Sequence, residues 1–282
     1  MSLRGEEEPR RPEPEETSGV PASAGRRRAG PALVPPLLLL LAVLLLAFLA
    51  VAALLVWRSL GDDLSGTSVA RDSINSGPEP RVRLTNAAGQ VRVEGAEDLE
   101  SIEYEVTKYA VASDPVAAKR RASEVPVDLS REDSTVVLKT DGGRDTGADY
   151  LLRVPSGAIV EVESGAGDVE VIGLSGDVTV EAPRGDVVVG DVSTETGQVE
   201  LEVGTGDVTL KNMVVGTLEA RIEVGDVTLS GRFSGSGRVL VETGNIIANL
   251  PPEDTRELTL ETRVGQVMRE TPSEDEKRSE GT

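Results

Sequence analysis

Beyond residue 80 apolar and polar side chains alternate with a period of two. Val178 and Val180 flank Thr179, Val208 and Leu210 flank Thr209, and Leu218, Ala220, Ile222 and Val224 are separated by Glu219, Arg221 and Glu223. Such alternation sends Val, Leu, Ile and Ala to one face of a strand and Thr, Glu and Arg to the other. Each run is announced by Gly, then Asp, Gln or Asn, then Val or Ile, with starts at Gly167, Gly176, Gly185, Gly197, Gly206, Gly225, Gly244 and Gly265. Successive starts lie 9, 9, 12, 9, 19, 19 and 21 residues apart. Glycine supplies a positive φ at no steric cost, and Asp or Asn favours a turn by bonding its own backbone, so each unit reads as a turn followed by a short strand. A short strand with one apolar face cannot fold alone, whereas stacked copies give one another backbone partners and close a continuous aliphatic core. The pattern therefore predicts an all-β fold: a single-stranded, β-helix-like solenoid of about 20-residue coils over residues 156–269. A β-sandwich of regular hairpins is the alternative that the same spacing admits.

Residues 80–155 break this beat. Val82, Leu84, Val91 and Val93 flank Asn86-Ala87-Ala88-Gly89 in the manner of a hairpin, and Ile102, Tyr104 and Val106 alternate as a further strand. Asp114-Pro115 opens Val116-Ala117-Ala118-Lys119-Arg120-Arg121-Ala122 as a helix start, with Asp as N-cap and Pro at the first helical position. Strand-like segments follow at 125–129, 135–139 and 150–154. The region is expected to be an irregular N-terminal β cap with one short helix, since an open coil exposes unpaired strand edges. Pro251-Pro252 interrupts the last coils, and residues 270–282 read as a charged, disordered tail.

Ahead of the β region, residues 37–57 carry 21 consecutive uncharged residues, mostly Leu, Ala and Val, ending at Trp57. As a helix this run is about 31 Å long, the thickness of a bilayer's hydrocarbon. Trp57 and Arg58 stand where an interfacial aromatic and a snorkelling cation belong. The Ala50-Val51-Ala52 triplet resembles a signal-peptidase site, but apolar residues continue past it and 36 residues precede the run, so an uncleaved anchor is expected. Arg26, Arg27 and Arg28 before the span place the N-terminus in the cytoplasm and the β region outside it. Residues 1–30, rich in Glu and Pro, read as a disordered cytoplasmic tail, and residues 58–79 as a polar linker.

Composition narrows the chemistry. The 282 residues contain no Cys and no His, which removes disulfides, thiol nucleophiles, the common zinc sites and His-based triads. A net charge of −20 argues against nucleic acid as a partner. The repeated Asp168, Asp177, Asp186, Asp207 and Asp226 invite a calcium reading, but calcium takes six to eight oxygens and each turn here offers one Gly-Asp followed by Val. A paired-carboxylate hydrolase would lack an aromatic platform for a sugar ring, the β region offering only Tyr104, Tyr109, Tyr150 and Phe233. Gly204-Thr205-Gly206 and Gly235-Ser236-Gly237 precede no Lys-Ser/Thr pair and are solenoid turns rather than phosphate loops. No catalytic, cofactor or metal residue is nominated, and no cofactor is expected.

Residues 82–95, the Ile102-Glu103-Tyr104-Glu105-Val106 strand, the Leu152-Arg153-Val154-Pro155-Ser156-Gly157-Ala158 segment and the tandem Gly-Asp-Val-Thr-Val repeats together resemble the bacterial putative adhesin family. The resemblance covers about residues 80–269 and implies a membrane-anchored β-solenoid attached to a surface. It supplies no catalytic residues. The function expected is structural or adhesive at the cell surface, with cell-wall polymer, a second copy or a membrane protein as partner. The alternative is a regulatory ectodomain that senses the envelope through a membrane partner, since the cytoplasmic tail is too short to hold an effector domain.

Overall fold

One-sided strands of four to seven residues have two needs: neighbours for both backbone edges, and a shared interior for their apolar face. Parallel stacking meets both. The computed structural model describes residues 65–75, 77, 80–143, 145–251 and 258–270, all within one unit, Leu55–Thr282. One column of parallel strands runs through β8 (Ile159–Ser164), β10 (Val178–Arg184), β12 (Ser193–Thr205), the second half of β13 (Val208–Val224), β15 (Gly237–Thr243) and β17 (Leu258–Val264). A second column runs through β9 (Val169–Ile172), β11 (Val187–Gly190), the first half of β13, β14 (Val227–Phe233), β16 (Ile246–Asn249) and β18 (Val267–Glu270). Equivalent positions Val160, Val178, Val199, Leu218, Gly237 and Leu258 are 18, 21, 19, 19 and 21 residues apart, which makes a single-stranded solenoid of about five turns. The sandwich alternative is excluded, because sequential runs pair in parallel, one coil apart, rather than as hairpins. A short third side closes part of the coil, where Val215 of β13 lies between Thr194 of β12 and Phe233 of β14.

Register stacks like on like. Val187, Val208, Val227 and Ile246 form one inward row, and Val189, Leu210, Leu229 and Ala248 the next; none is more than 1% exposed. The bore is too narrow for many rings, and Phe233 and Tyr150 are the aromatics in the buried core. Between the two columns the chain turns at a row of glycines, Gly167, Gly185, Gly206, Gly225, Gly244 and Gly265, every one with positive φ. Gly176 and Gly197, which share the sequence signature, sit on the other corner and have no such φ. The signature thus covers two kinds of turn.

The N-terminal region departs from expectation in three ways. First, Asn86 to Gly89 is a coil corner rather than a hairpin. β2 (Arg81–Asn86) and β3 (Val91–Ala96) do not pair with each other. β2 lies in parallel between β6 (Thr135–Thr140) and β8, and β3 between β7 (Thr146–Pro155) and β9. The parallel stack therefore reaches back beyond residue 156 and takes its coils out of chain order, because Val82-Leu84 and Val91-Val93 present the same inward faces as the later repeats.

Second, residues 65–75, within the expected linker, form β1 (Ser65–Asn75), antiparallel to β4 (Ser101–Val111) over its whole length. This strand has no clean alternation to betray it. Its stability comes from backbone pairing and from the helix α1 (Pro115–Glu124), whose Ala118 and Lys119 backbone lies against Gly66. Third, the strand expected at 125–129 is displaced to β5 (Asp128–Glu132), antiparallel to β6. α1 itself is capped as expected: Asp114 accepts from Ala117 N at 2.8 Å, with Pro115 in the first turn.

The expected membrane span at 37–57 and the expected tail at 1–30 lie outside the described residues, as do residues 271–282. Among the described residues no helix is long and apolar enough to cross a membrane.

Candidate functional site: corners and flanks of the solenoid

Two ordered features present themselves to a partner, and both follow from the register. The first is the row of aspartates at the glycine corner. Asp168 Oδ1 accepts from the backbone N–H of Asp186 at 3.0 Å, Asp186 from Asp207 at 2.8 Å, Asp207 from Asp226 at 2.8 Å and Asp226 from Asn245 at 2.7 Å. Asn245 continues the row by accepting from Gln266 N at 3.1 Å, and on the other corner Asp177 accepts from Gln198 N at 2.9 Å. Sequence reasoning assigned these side chains to their own turns. They instead bond one coil onward, because an 18–21-residue repeat brings the next turn's N–H within reach of each carboxylate. The recurrence of an acceptor-bearing side chain after every corner glycine was the signal for this inter-coil row.

Each of these side chains is engaged by the backbone of the next coil. Among the described residues no group of three or more Asp, Glu, His or Cys is placed to hold a metal ion. The row's energetic worth can be measured. Asp207→Ala removes the acceptor for Asp226 N and is expected to cost about 1.5–3 kcal/mol, the range for a hydrogen bond to a charged group. Asp207→Asn keeps an acceptor, as Asn245 does naturally, and removes one of a row of like charges about 4.8 Å apart. The Asn variant is expected to lose less than half as much, and to compare best with the parent at low salt, where repulsion is least screened. Urea unfolding at two ionic strengths checks both.

The second feature is the outward face of the first column. Glu161, Thr179, Glu200 and Glu219 align in one row, and Glu163, Glu181, Glu202 and Arg221 in the row beside it. Toward the N-terminal coils these glutamates have partners: Arg83 Nε donates to Glu161 at 2.8 Å and Thr85 to Glu163 at 3.1 Å. The Arg83 guanidinium is held above its ordinary pKa, first by that hydrogen bond. The second column's outward row is far less charged: Glu170, Val188, Thr209, Thr228 and Ile247. The two flanks thus offer different chemistry on one scaffold, one acidic and one of Thr and aliphatic side chains.

A groove of about 620 Å³ lies across β1, β3, β4 and β7, with Tyr104, Arg71 and Arg153 in its lining. Its charges satisfy one another. Arg71 bonds Glu105 at 2.6 Å, and Arg153 lies 3.6 Å from Glu94 and 3.9 Å from Glu103. The Arg71 hydrogen bond holds the Glu105 carboxyl below its ordinary value, against an opposing desolvation. Burial, with help from Asp72, pushes the Tyr104 hydroxyl up. A lowered carboxylate and a raised phenol are both in their resting forms at neutral pH, so neither is poised to move a proton.

Residues 156–282 match the family described as Toastrack DUF4097. The matched stretch contains the glycine-led repeats. The resemblance to the putative adhesin family drawn from the glycine-led runs is borne out at this level. No curated protein matches the chain. Among solved structures, a putative adhesin from Bacteroides fragilis is 13% identical, with a TM-score of 0.40, covering 72% of this chain and 97% of its own. A putative cell adhesion protein from Clostridium sporogenes is 11% identical with a TM-score of 0.31, covering 74% of this chain and 100% of its own. A putative adhesin from Parabacteroides merdae is 11% identical with a TM-score of 0.24, covering 73% and 97%.

Proposed function

We propose that the chain is a single-pass membrane protein whose Toastrack domain stands outside the cytoplasm and serves a structural or adhesive role at the cell surface, without catalysis. The observation that carries this reading is the regular array of outward side chains on the stacked coils. One flank repeats Glu and the other repeats Thr and aliphatic residues, at the spacing of adjacent strands. A surface of that kind suits a repeating partner such as a cell-wall polymer, because each coil adds an equivalent weak contact and the contacts multiply. The uncharged run at 37–57 supports the anchor, and Arg26, Arg27 and Arg28 support an inward N-terminus.

Cells making the full chain with a C-terminal tag supply the test. Protease added to intact cells is expected to remove the tag, and purified wall material is expected to retain more of these cells than of cells lacking the chain. A tag protected until the membrane is opened would overturn the topology. Equal retention would overturn the adhesive role.

A further inference from the structure

The two ends of the stack are finished differently. At the N-terminal end β1, β4 and β5 turn antiparallel and α1 lies against β1, so the run of parallel coils is terminated by different structure. At the C-terminal end no such change occurs among the described residues. β17 pairs only with β15 and β18 only with β16 among the described residues, leaving one edge of each without a strand partner. The inward row shows the same truncation: Val227 and Ile246 are 0% exposed, but Val267, the next member, is 38% exposed. An open parallel edge over a bared aliphatic core is a template for another strand.

We propose that this end pairs with the same end of a second copy, β17 against β17 in antiparallel register about a two-fold axis passing midway between the two copies of Thr262. The side chains choose this occupant. Glu261 and Arg263 both face outward, on either side of Thr262, in the sequence Leu258-Thr-Leu-Glu-Thr-Arg-Val264. Two-fold pairing centred on Thr262 sets Glu261 opposite the partner's Arg263 and Arg263 opposite the partner's Glu261. It also sets Leu260 opposite the partner's Val264. Within the chain, Arg263 already reaches back to Glu242 at 3.1 Å and Glu261 to Arg238 at 3.0 Å. The pairing gives each of these ions a second opposite charge on its open side and continues the alternation beyond the last coil. An isologous contact of this sort closes on itself, so it yields a dimer and no filament. It is independent of what the flanks bind.

The absence of any native cysteine makes the register directly readable. Directly opposed residues in antiparallel strands have Cα atoms about 4.5–5.5 Å apart, within disulfide range, whereas residues two positions out of register lie beyond about 7 Å. The full chain in mild detergent is given a single cysteine and oxidised gently. Thr262→Cys is expected to give a disulfide-linked dimer. Glu261→Cys and Arg263→Cys, each alone, are expected to stay monomeric on a non-reducing gel. A mixture of those two variants is expected to cross-link. Both are at exposed positions, so the mixture tests the register even if Thr262→Cys, which loses its hydrogen bond to Gly244 O, unfolds. No dimer in the mixture, or equal cross-linking in all four samples, overturns the proposal.

Discussion

Gly225→Ala is expected to destabilise the solenoid by more than about 3 kcal/mol, a large share of the stability of an ordinary domain. Two costs coincide at this corner. The backbone holds φ at +153°, which a residue with a Cβ adopts only under strain. A Cβ built there also overlaps the carbonyl oxygen of Gly206 in the preceding coil, and Gly244 stands in the same relation to Gly225. The overlap is with backbone of the preceding coil, so no side chain can rotate away. Relief requires parting this coil from the preceding one, which breaks Gly206 N to Val224 O and Val208 N to Asp226 O. Gly157→Ala is the control. Its Cβ would meet only Ser175 Oγ at 4.0 Å, so the change is expected to stay within about 0.5 kcal/mol. Thermal and urea unfolding of the two variants separates a corner that tolerates only glycine from a glycine that is merely present.

The second large effect lies in the bore. Leu229→Ala is expected to cost about 2–5 kcal/mol, from lost transfer energy and from a cavity that the surrounding coils cannot close. Leu229 is fully buried between Leu210 and the already small Ala248 in its inward row. Collapse into the gap would need both neighbouring coils to shift, against corners fixed by glycine on glycine. Val267→Ala, in an inward row of the last coil, is expected to cost less than about 1 kcal/mol, because that side chain is already 38% exposed. Since each coil touches only its neighbours, the Leu229→Ala transition is also expected to broaden, the C-terminal coils separating from the rest before global unfolding. Comparing urea midpoints and slopes for the two variants tests position against chemistry.

Much of this architecture was legible because it is local. Alternation such as Val178-Thr179-Val180 dictates which face is buried, and a recurring corner glycine fixes the coil length, so both survive translation from string to structure. The Asp114-Pro115 helix start was legible for the same reason, as a cap lies within three residues of what it caps. What escaped was non-local. No feature of Asn86-Ala87-Ala88-Gly89 distinguishes a hairpin from a coil corner, since the difference lies in whether β2 pairs with β3 or with strands 54 and 78 residues away. The partner of each aspartate was hidden likewise, because a carboxylate's own turn and the turn one coil onward offer the same N–H. β1 escaped because an edge strand held by main-chain pairing needs no apolar pattern. The acidic flank was present as scattered glutamates, which only the register assembled into rows.

The out-of-order placement of β2 and β3 has a consequence for how the protein is made. Every later coil docks on one completed about twenty residues earlier, but this pair is enclosed only when residues 135–172 have emerged on both sides of it. Closing a 78-residue connection rather than a 19-residue one costs only about 1 kcal/mol more in chain entropy, so the final state is little affected. The timing is affected far more: at ribosomal speed the first apolar segments wait several seconds, with bare edges, for their covers to be synthesised. Nucleation therefore belongs to the regular repeats or to the moment the sandwiching pair arrives, and a chaperone acting on the nascent chain would find its natural substrate between residues 81 and 96.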